Sequence, residues 1–207
     1  MPTKIHAVST DITRLDVDAI VNAANSALAG GGGVDGAIHA AAGWPELAAA
    51  CARLGGCRPG DAKATPGFAL PARWIIHTVG PVWHGGLQGE DDVLASCYTR
   101  SVEVAEGLGC RSLAFPAIST GVYGFPKERA ATIAVSTLRG LRTRLSDVFL
   151  VAFDGETRAL YESALGGGAE AAGGAEAAGG AEAAGGAEAA GGAEAAGGAG
   201  GHSLRGC

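Results

Sequence analysis

The hydrophobic and polar positions of the first 165 residues alternate between short apolar runs and longer segments of helical periodicity. Short runs of β-branched and aromatic residues, bounded by turn residues, are typical of strands. Apolar residues three or four positions apart line one face of a helix. The pattern predicts strands over 4–9, 17–21, 61–70 (broken at Pro66-Gly67), 74–79, 112–115 and 147–153, and helices over 34–42, 45–54, 91–108, 126–141 and 156–165.

Strands that alternate with helices predict an α/β fold, with a largely parallel sheet covered by helices on both faces. About 165 residues suit one domain of this kind. Ligands of such sheets bind beyond the carboxyl ends of the strands. We therefore expect the functional residues in the loops that follow the strands.

The composition changes at Gly166, where a repeat begins that holds five copies of Ala-Glu-Ala-Ala-Gly-Gly. These small residues cannot form a hydrophobic core, and the paired glycines disfavour a helix. We therefore predict a folded domain over 1–165 and a flexible, weakly acidic, low-complexity tail over 166–207. A packed polyproline-like bundle, or a frame error or expansion in the coding repeat, are the alternatives.

The charge of the folded part is close to neutral. The whole chain carries −6, but the repeat segment contributes five glutamates and one arginine, which leaves 16 acidic and 14 basic residues in 1–165. Such a balance provides no basic field for nucleic acid. The first residues lack the apolar core of a signal peptide, and no apolar run approaches the ~20 residues of a membrane span. We expect a cytoplasmic protein with no membrane or nucleic-acid partner.

The cysteines favour a reducing compartment, because they are odd in number and lack Cys-x-x-Cys spacing. We expect them to be buried as small apolar residues. No cluster of cysteine and histidine has metal-ligand spacing, so neither a metal nor a cofactor is predicted. The five cysteines are Cys51, Cys57, Cys97, Cys110 and Cys207.

Candidate chemistry concentrates between Asn22 and Gly36, which contains two asparagines, four consecutive glycines and Asp35. Glycines between a strand and a helix N-terminus let backbone N–H groups approach a phosphate. A second turn of small residues follows another predicted strand at 116–124, so the two turns are suited to a diphosphate. The first turn lacks the Gly-Lys-Ser/Thr ending of a P-loop and the acidic partner of a dinucleotide fingerprint.

Six segments, in order, closely resemble the macrodomain family, in particular its MacroD-type branch, and the resemblance spans residues 4 to 165. They are 11–13 (DIT), 17–26 (VDAIVNAANS), 30–39 (GGGGVDGAIH), 54–57 (LGGC), 76–81 (IHTVGP) and 115–124 (FPAISTGVYG). The resemblance implies a three-layer α/β/α macrodomain with a mixed, largely parallel sheet. Members of that branch bind ADP-ribose, hydrolyse the ester that links it to Asp or Glu side chains, and deacetylate O-acetyl-ADP-ribose.

The resemblance assigns the adenine to Asp11, whose carboxylate accepts a hydrogen bond from the amino group, and to the backbone of Ile12. Phe153 matches the aromatic residue that stacks on the adenine. Thr10 departs from the family, which usually has glycine there. The resemblance assigns the diphosphate to two loops, which are Gly32, Gly33 and Val34 in the first and Ser119, Thr120, Gly121, Val122 and Tyr123 in the second.

By the same resemblance, Asn25 and Asp35 contact the distal ribose and are the candidate catalytic residues. The positive end of the helix dipole favours an ionised Asp35, which makes it a weak base. We therefore expect Asp35 to orient a water and the ribose, with the bound diphosphate assisting proton transfer. An aspartate in the first helical turn also has a purely structural explanation.

The histidines receive no catalytic assignment. His39 lies four residues after Asp35 on the same predicted helix, but we interpret it as a partly buried helix histidine rather than as a partner of Asp35. His77 is interpreted as structural because it lies inside a strand. His84 lies on a loop that borders the ribose in one interpretation.

The leading hypothesis is an ADP-ribosyl hydrolase that also acts on O-acetyl-ADP-ribose, since Asn25 and Asp35 are both present. One alternative is a non-catalytic ADP-ribose-binding module. Another is a tethered adaptor that works through its repeat segment, although that segment lacks aromatic, basic or amphipathic anchors. The expected partners are ADP-ribose-containing small molecules and mono-ADP-ribosylated proteins, and a monomer is expected.

Overall fold

A six-stranded sheet runs through residues 2–167, the part of the chain that the computed structural model describes. The strands are β1 (Lys4–Ser9), β2 (Ala19–Ala23), β3 (Ala62–Pro66), β4 (Trp74–Thr78), β5 (Ser112–Phe115) and β6 (Asp147–Ala152). Their order is β1-β6-β5-β2-β4-β3, and each neighbouring pair is parallel except β3 with β4. Residues 168–207, which hold nearly all of the predicted low-complexity tail, lie outside the described part of the chain.

Helices cover both faces of this sheet. They are α1 (Gly33–Ala42), α2 (Trp44–Leu54), α3 (Glu90–Gly107), α4 (Lys127–Gly140) and α5 (Gly155–Gly166). Adjacent residues of β2 show the two faces, because successive side chains of a strand point to opposite sides. Ile20 packs in a cluster with Ile38 of α1, whereas Val21 packs in a separate cluster with Leu94 of α3. The predicted three-layer α/β/α fold with a mixed, largely parallel sheet is confirmed.

The second strand begins and ends later than its hydrophobic pattern predicted. The carboxylate of Asp18 accepts hydrogen bonds from the N–H groups of Arg111 and Ser112 at 2.8 and 3.1 Å, so it connects two loops rather than extending β2. The strand then continues to Ala23. As a result, Asn22 lies inside the sheet and is fully buried.

The carboxyl ends of the five parallel strands meet at one edge of the sheet, because strands that run in the same direction end on the same side. The loops that follow β1, β2, β4, β5 and β6 therefore converge there. Every predicted site residue follows one of these strands. The topology places the candidate site where open α/β sheets bind their ligands.

The cysteines of the described part are free and buried, as expected. Burial raises the pKa of the Cys51 and Cys97 thiols to about 11, which keeps both protonated at neutral pH. Cys207 lies outside the described residues. Among residues 2–167, no helix is both long enough and apolar enough to cross a membrane.

Candidate functional site

The first glycine loop, residues 30–33, leads from β2 into α1. Gly33 opens the helix with a φ of +60°, a conformation that favours glycine. A Cβ built on Gly32 or Gly33 meets no atom within 4 Å, whereas one on Gly36 lies 2.6 Å from the carbonyl oxygen of Gly31. The helix thus packs tightly against the back of the loop, and the loop's front stays open beside the first N–H groups of α1. This arrangement suits an anionic ligand.

The second glycine loop, residues 116–124, follows β5 and is closed by its own backbone. The N–H of Phe125 donates to the carbonyl of Ser119 at 3.0 Å. Ser119 has a φ of +65°, which is uncommon outside glycine and typical of functional loops. Its hydroxyl is buried and has no hydrogen-bond partner within residues 2–167. Val122, at the front of the loop, is fully exposed.

Gly80, two residues after the end of β4, lies against the second glycine loop. A Cβ at this position would lie 2.1 Å from Oγ of Ser119 and 2.7 Å from Cγ2 of Ile118. These separations are shorter than any van der Waals contact. A side chain at residue 80 would therefore force Ser119 and Ile118 of the second loop to move.

Trp83 connects the loop after β4 to the second glycine loop. Its backbone N–H donates to the carbonyl of Tyr123 at 2.8 Å, and the centre of its ring lies 4.7 Å from that of the buried Phe125. The guanidinium of Arg129 covers the ring of Trp83 at 5.3 Å, within the range of a cation–π contact. The two loops therefore form one connected surface.

Glu90, the first residue of α3, holds the loop that carries Trp83. Its carboxylate accepts hydrogen bonds of 2.6–3.1 Å from the backbone N–H groups of His84, Gly86 and Gln88. Burial raises the pKa of Glu90, but hydrogen bonds from backbone N–H groups outweigh it and lower the pKa to about 2. The sequence pattern missed this role, because the predicted helix over 91–108 begins after Glu90.

Asp35, in the first turn of α1, is 5% exposed. Its Oδ1 accepts a hydrogen bond from Nδ2 of Asn22 at 2.7 Å. Its Oδ2 faces the first glycine loop, since a Cβ on Gly31 would lie 3.2 Å from it. One carboxylate oxygen is thus held by the sheet, and the other is directed toward the loop.

Asn25 lies beside the same Cβ position of Gly31, which would be 3.7 Å from its Nδ2. The same Nδ2 donates to the carbonyl of Gly30 at 2.8 Å, and Oδ1 accepts from the N–H of Ala29 at 3.3 Å. The structure therefore brings Asn25 and Asp35 together around one glycine. It also gives Asn25 a structural role that the sequence did not predict, because its amide stabilises the turn before the glycines.

The interpretation of His39 as an unpaired, partly buried histidine is wrong. His39 is 1% exposed, and its Nδ1 lies 3.0 Å from the backbone carbonyl and 3.1 Å from Oδ1 of Asp35. The helical spacing of four residues places the ring beside the carboxylate. Its Nε2 is buried and has no hydrogen-bond partner among residues 2–167.

His77 of β4 connects Asn22 of β2 to the outermost strand β3. Its Nδ1 lies 3.1 Å from Nδ2 of Asn22, and its Nε2 lies 2.9 Å from Oγ1 of Thr65. Burial, with a smaller contribution from His39, lowers the pKa of His77 to about 4. Sequence reasoning missed Asn22 and Thr65; an amide next to a buried apolar run was the feature that could have identified Asn22.

The residues predicted to contact adenine follow β1 and β6, which are neighbours in the sheet. Asp11 accepts hydrogen bonds from Oγ1 and N–H of Thr13 at 2.7 and 3.0 Å, and these lower the pKa of Asp11. Ile12 is buried, whereas Phe153 is 99% exposed. Thr10 does not have a positive φ, so the local backbone accepts threonine where the family usually has glycine.

The described residues contain no group of three or more His, Cys, Asp and Glu side chains arranged to hold a metal ion. The site is therefore an open edge with two glycine loops, one buried carboxylate and one exposed aromatic ring. This combination defines an α/β/α protein with a cleft suited to an anionic, nucleotide-like ligand.

Comparison with known proteins gives the family. The sequence profile of the Macro domain matches residues 21–134. A macro domain-containing protein of Ralstonia nicotianae is 60% identical over 161 residues, which are 78% of this chain and 94% of that protein. An O-acetyl-ADP-ribose deacetylase of Klebsiella pneumoniae is 54% identical over 172 residues, covering 80% and 98%. The chain belongs to the macrodomain family, as its motifs predicted.

The solved structures agree. A glycine-to-valine variant of the Oceanobacillus iheyensis macrodomain with ADP-ribose has a TM-score of 0.76 and 40% identity, covering 81% of this chain and 95% of that one. Two further variants of that macrodomain replace an aspartate and an asparagine by alanine. These two residues are ten positions apart in that chain.

Proposed function

We propose that this protein binds ADP-ribose across the carboxyl edge of its sheet and hydrolyses an ester carried by the distal ribose. The substrates of this proposal are O-acetyl-ADP-ribose and proteins with mono-ADP-ribose on Asp or Glu side chains. Both are esters of a ribose hydroxyl, so water adds in each case, and a carboxylic acid and ADP-ribose leave. The names and ligands of the related proteins support the nucleotide, and the site geometry supports the reaction.

The observation that carries the proposal is the placement of Asn25 and Asp35 beside one Cβ position of Gly31. Asn22 holds Oδ1 of Asp35, which leaves Oδ2 directed toward the place where a ligand of the glycine loop would lie. An oriented carboxylate oxygen at that place can accept a hydrogen bond from a water or a ribose hydroxyl. The ten-residue spacing of the two variants solved in the Oceanobacillus protein is also the spacing of Asn25 and Asp35.

The remaining assignments extend along the cleft. The first loop (Gly32, Gly33, Val34) and the second loop (Ser119, Thr120, Gly121, Val122, Tyr123) bind the diphosphate through backbone N–H groups. Asp11, Ile12 and Phe153 bind the adenine, with the exposed ring of Phe153 stacking on the base. That the protein acts as a monomer in the cytoplasm stays a prediction.

One observation favours the alternative of a non-catalytic ADP-ribose-binding module. Both polar atoms of the Asn25 side chain are engaged by its own loop, so the residue has a structural reason to be present. The adaptor hypothesis depends on residues outside the described part and gains no support here.

The test measures release of ADP-ribose from O-acetyl-ADP-ribose and from a protein mono-ADP-ribosylated on acidic residues. It uses the full chain and the variants Asn25→Ala and Asp35→Ala, with Asp92→Ala on the exposed side of α3 as a matched control. Calorimetry with ADP-ribose reports binding separately. We expect turnover by the wild type and the control, and strong loss in both site variants. A wild type that binds ADP-ribose but releases none from either substrate supports the binding module instead.

A further inference from the structure

A continuous series of buried side chains leads from Asp35 across the sheet to β3, its outermost strand on that side. It joins Asp35, Asn22, His77 and Thr65 by contacts of 2.7, 3.1 and 2.9 Å. None of the four residues is more than 5% exposed. They belong to α1, β2, β4 and β3 in that order, and the last three are neighbouring strands.

We propose that His77 is a positioning residue, which fixes the side-chain amide of Asn22 and through it the carboxylate of Asp35. It lies inside the sheet, separated from the first glycine loop by Asn22 and Asp35, so it acts without touching a ligand there. The inferred hydrogen-bond arrangement is independent of the proposed function. Only the expected effect on turnover rests on that function.

The carboxylate of Asp35 only accepts hydrogen bonds. Asn22 therefore presents its NH₂ group to Asp35, as the 2.7 Å contact requires. The opposite amide orientation would place Oδ1 of Asn22 against Oδ1 of Asp35, two acceptors within hydrogen-bond distance. Such a contact is repulsive, and it is costly in the buried interior.

The second hydrogen of that NH₂ group determines the tautomer of His77. Nδ2 of Asn22 lies 3.1 Å from Nδ1 of His77, and a donor at Nδ2 requires a lone pair at Nδ1. The proton of the neutral ring is then on Nε2, which donates to Oγ1 of Thr65 at 2.9 Å. Asn22 thus selects the tautomer, as the partner of one ring nitrogen commonly determines the state of the other, and the hydroxyl of Thr65 accepts the resulting Nε2–H.

The arrangement leaves one buried acceptor without a partner and requires a neutral imidazole. Oδ1 of Asn22 is buried and has no hydrogen-bond partner within residues 2–167. The amide keeps this orientation despite the unsatisfied oxygen, because its two donated hydrogen bonds have no substitute. The neutral ring fits its surroundings, because burial, with a smaller contribution from His39 of α1, lowers the pKa of His77 to about 4. Sγ of Cys51 from α2 lies 3.7 Å from Nε2, and Asp35 of α1 is reached through Asn22.

The first test determines the tautomer directly. The full chain is labelled with ¹⁵N at histidine, and the ring nitrogen shifts of His77 are measured at pH 7, with Thr65→Val as a matched variant. We expect a neutral ring protonated at Nε2, and the same tautomer when the Thr65 hydroxyl is removed, because Asn22 still requires the lone pair at Nδ1. A ring protonated at Nδ1, or at both nitrogens, overturns the proposal.

The second test separates positioning from general stability. His77→Asn keeps an acceptor where Nδ1 lies, whereas His77→Leu removes it. For folded variants, we expect His77→Leu to lower kcat on O-acetyl-ADP-ribose about 10- to 100-fold, as small displacements of catalytic groups do, with the ADP-ribose Kd changed about threefold or less. His77→Asn should recover most of the lost kcat. A folded His77→Leu variant with wild-type kcat overturns the proposal.

The two tests also distinguish this inference from the proposed function. If the wild type releases no ADP-ribose from any ester, the hydrolase assignment fails, and the tautomer of His77 still decides the hydrogen-bond arrangement. If His77→Leu does not fold, the ring nitrogen shifts of His77 decide, since protonation at Nε2 supports positioning and protonation at Nδ1 overturns it.

Discussion

The two ends of the cleft are built in opposite ways. At the end that we assign to the distal ribose, Asp35 is 5% exposed and is connected to three strands by hydrogen-bonded side chains. At the end that we assign to adenine, Phe153 is 99% exposed. Asp11 there finds its hydrogen-bond partner only two residues away, at Thr13.

This difference indicates how binding and chemistry are divided. A group that must be held within fractions of an ångström needs a rigid, buried support. A stacking platform needs only an accessible face, since a base can adapt to it. We therefore expect changes at the ribose end to affect turnover and stability together, and changes at the adenine end to affect affinity alone.

The largest effect should come from Gly80→Ala, which should displace the second glycine loop. This loop lies between the two ends, so the substitution should disturb both. The new Cβ would overlap Ser119 and Ile118 at 2.1 and 2.7 Å, and such overpacking costs about 1–3 kcal/mol of unfolding free energy. ADP-ribose binding and turnover should both be lost. Urea unfolding and calorimetry measure the two effects, with Gly107→Ala, where a Cβ meets nothing, as the control. Wild-type affinity in the Gly80 variant would show that the loop adapts.

Phe153→Ala tests whether the adenine end contributes to affinity alone. Loss of stacking should weaken ADP-ribose binding by about 1–3 kcal/mol, while the free energy of unfolding stays constant because the ring is exposed. Calorimetry measures the affinity, and Leu87→Ala, which removes another exposed side chain, is the control. An unchanged Kd would take Phe153 out of the site.

The pH dependence of stability should come from the ribose end. The folded-state pKa of His77, about 4, lies below the ordinary histidine value of 6.5, so the unfolded chain binds the proton first. Stability is complete above pH 6.5 and falls as the pH drops toward 4. Linkage gives a loss of about 2 kcal/mol between pH 7 and pH 5.

Urea unfolding of the wild type and His77→Asn at both pH values measures this loss, with His84→Asn on the exposed loop as the control. His77→Asn should flatten the dependence, and His84→Asn should leave it as in the wild type. An equal slope in wild type and His77→Asn would assign the dependence to other groups.

The smallest effect should come from Glu90→Gln, which acts on the loop beside the cleft rather than on either end. The amide loses the charge to which three backbone N–H groups donate, so we expect a modest fall in Tm and faster proteolysis within residues 81–89. Glu128→Gln, at an exposed position of α4, is the control. Unchanged proteolysis would mean that Trp83 alone holds the loop.

The sequence predicted most of the fold because the relevant information is local. Both Lys4–Ser9 and Ser112–Phe115 have the bounds that their apolar runs indicated, and glycine or proline marked most helix ends. The start of β2 was missed because Asp18 binds the backbone of Arg111 and Ser112, some 93 residues away. No local pattern contains such a contact.

The candidate site was predicted in part. The motifs identified Asn25 and Asp35, and the topology brings both to one edge. The support of Asp35 was not predicted, because the contact between Asn22 and His77 depends on the register of β2 and β4, which pairs residues 55 positions apart. The individual binding roles, the domain boundary at 165 and the monomeric state stay predictions.

The decisive experiment on the role of Asp35 compares Asp35→Ala with the wild type in two quantities. These are the single-turnover rate constant for hydrolysis of saturating O-acetyl-ADP-ribose and the Kd for ADP-ribose. We predict that the rate constant falls about 100-fold or more, while the Kd changes about threefold or less. A folded Asp35→Ala variant that hydrolyses the ester at the wild-type rate would contradict the division between the two ends of the cleft.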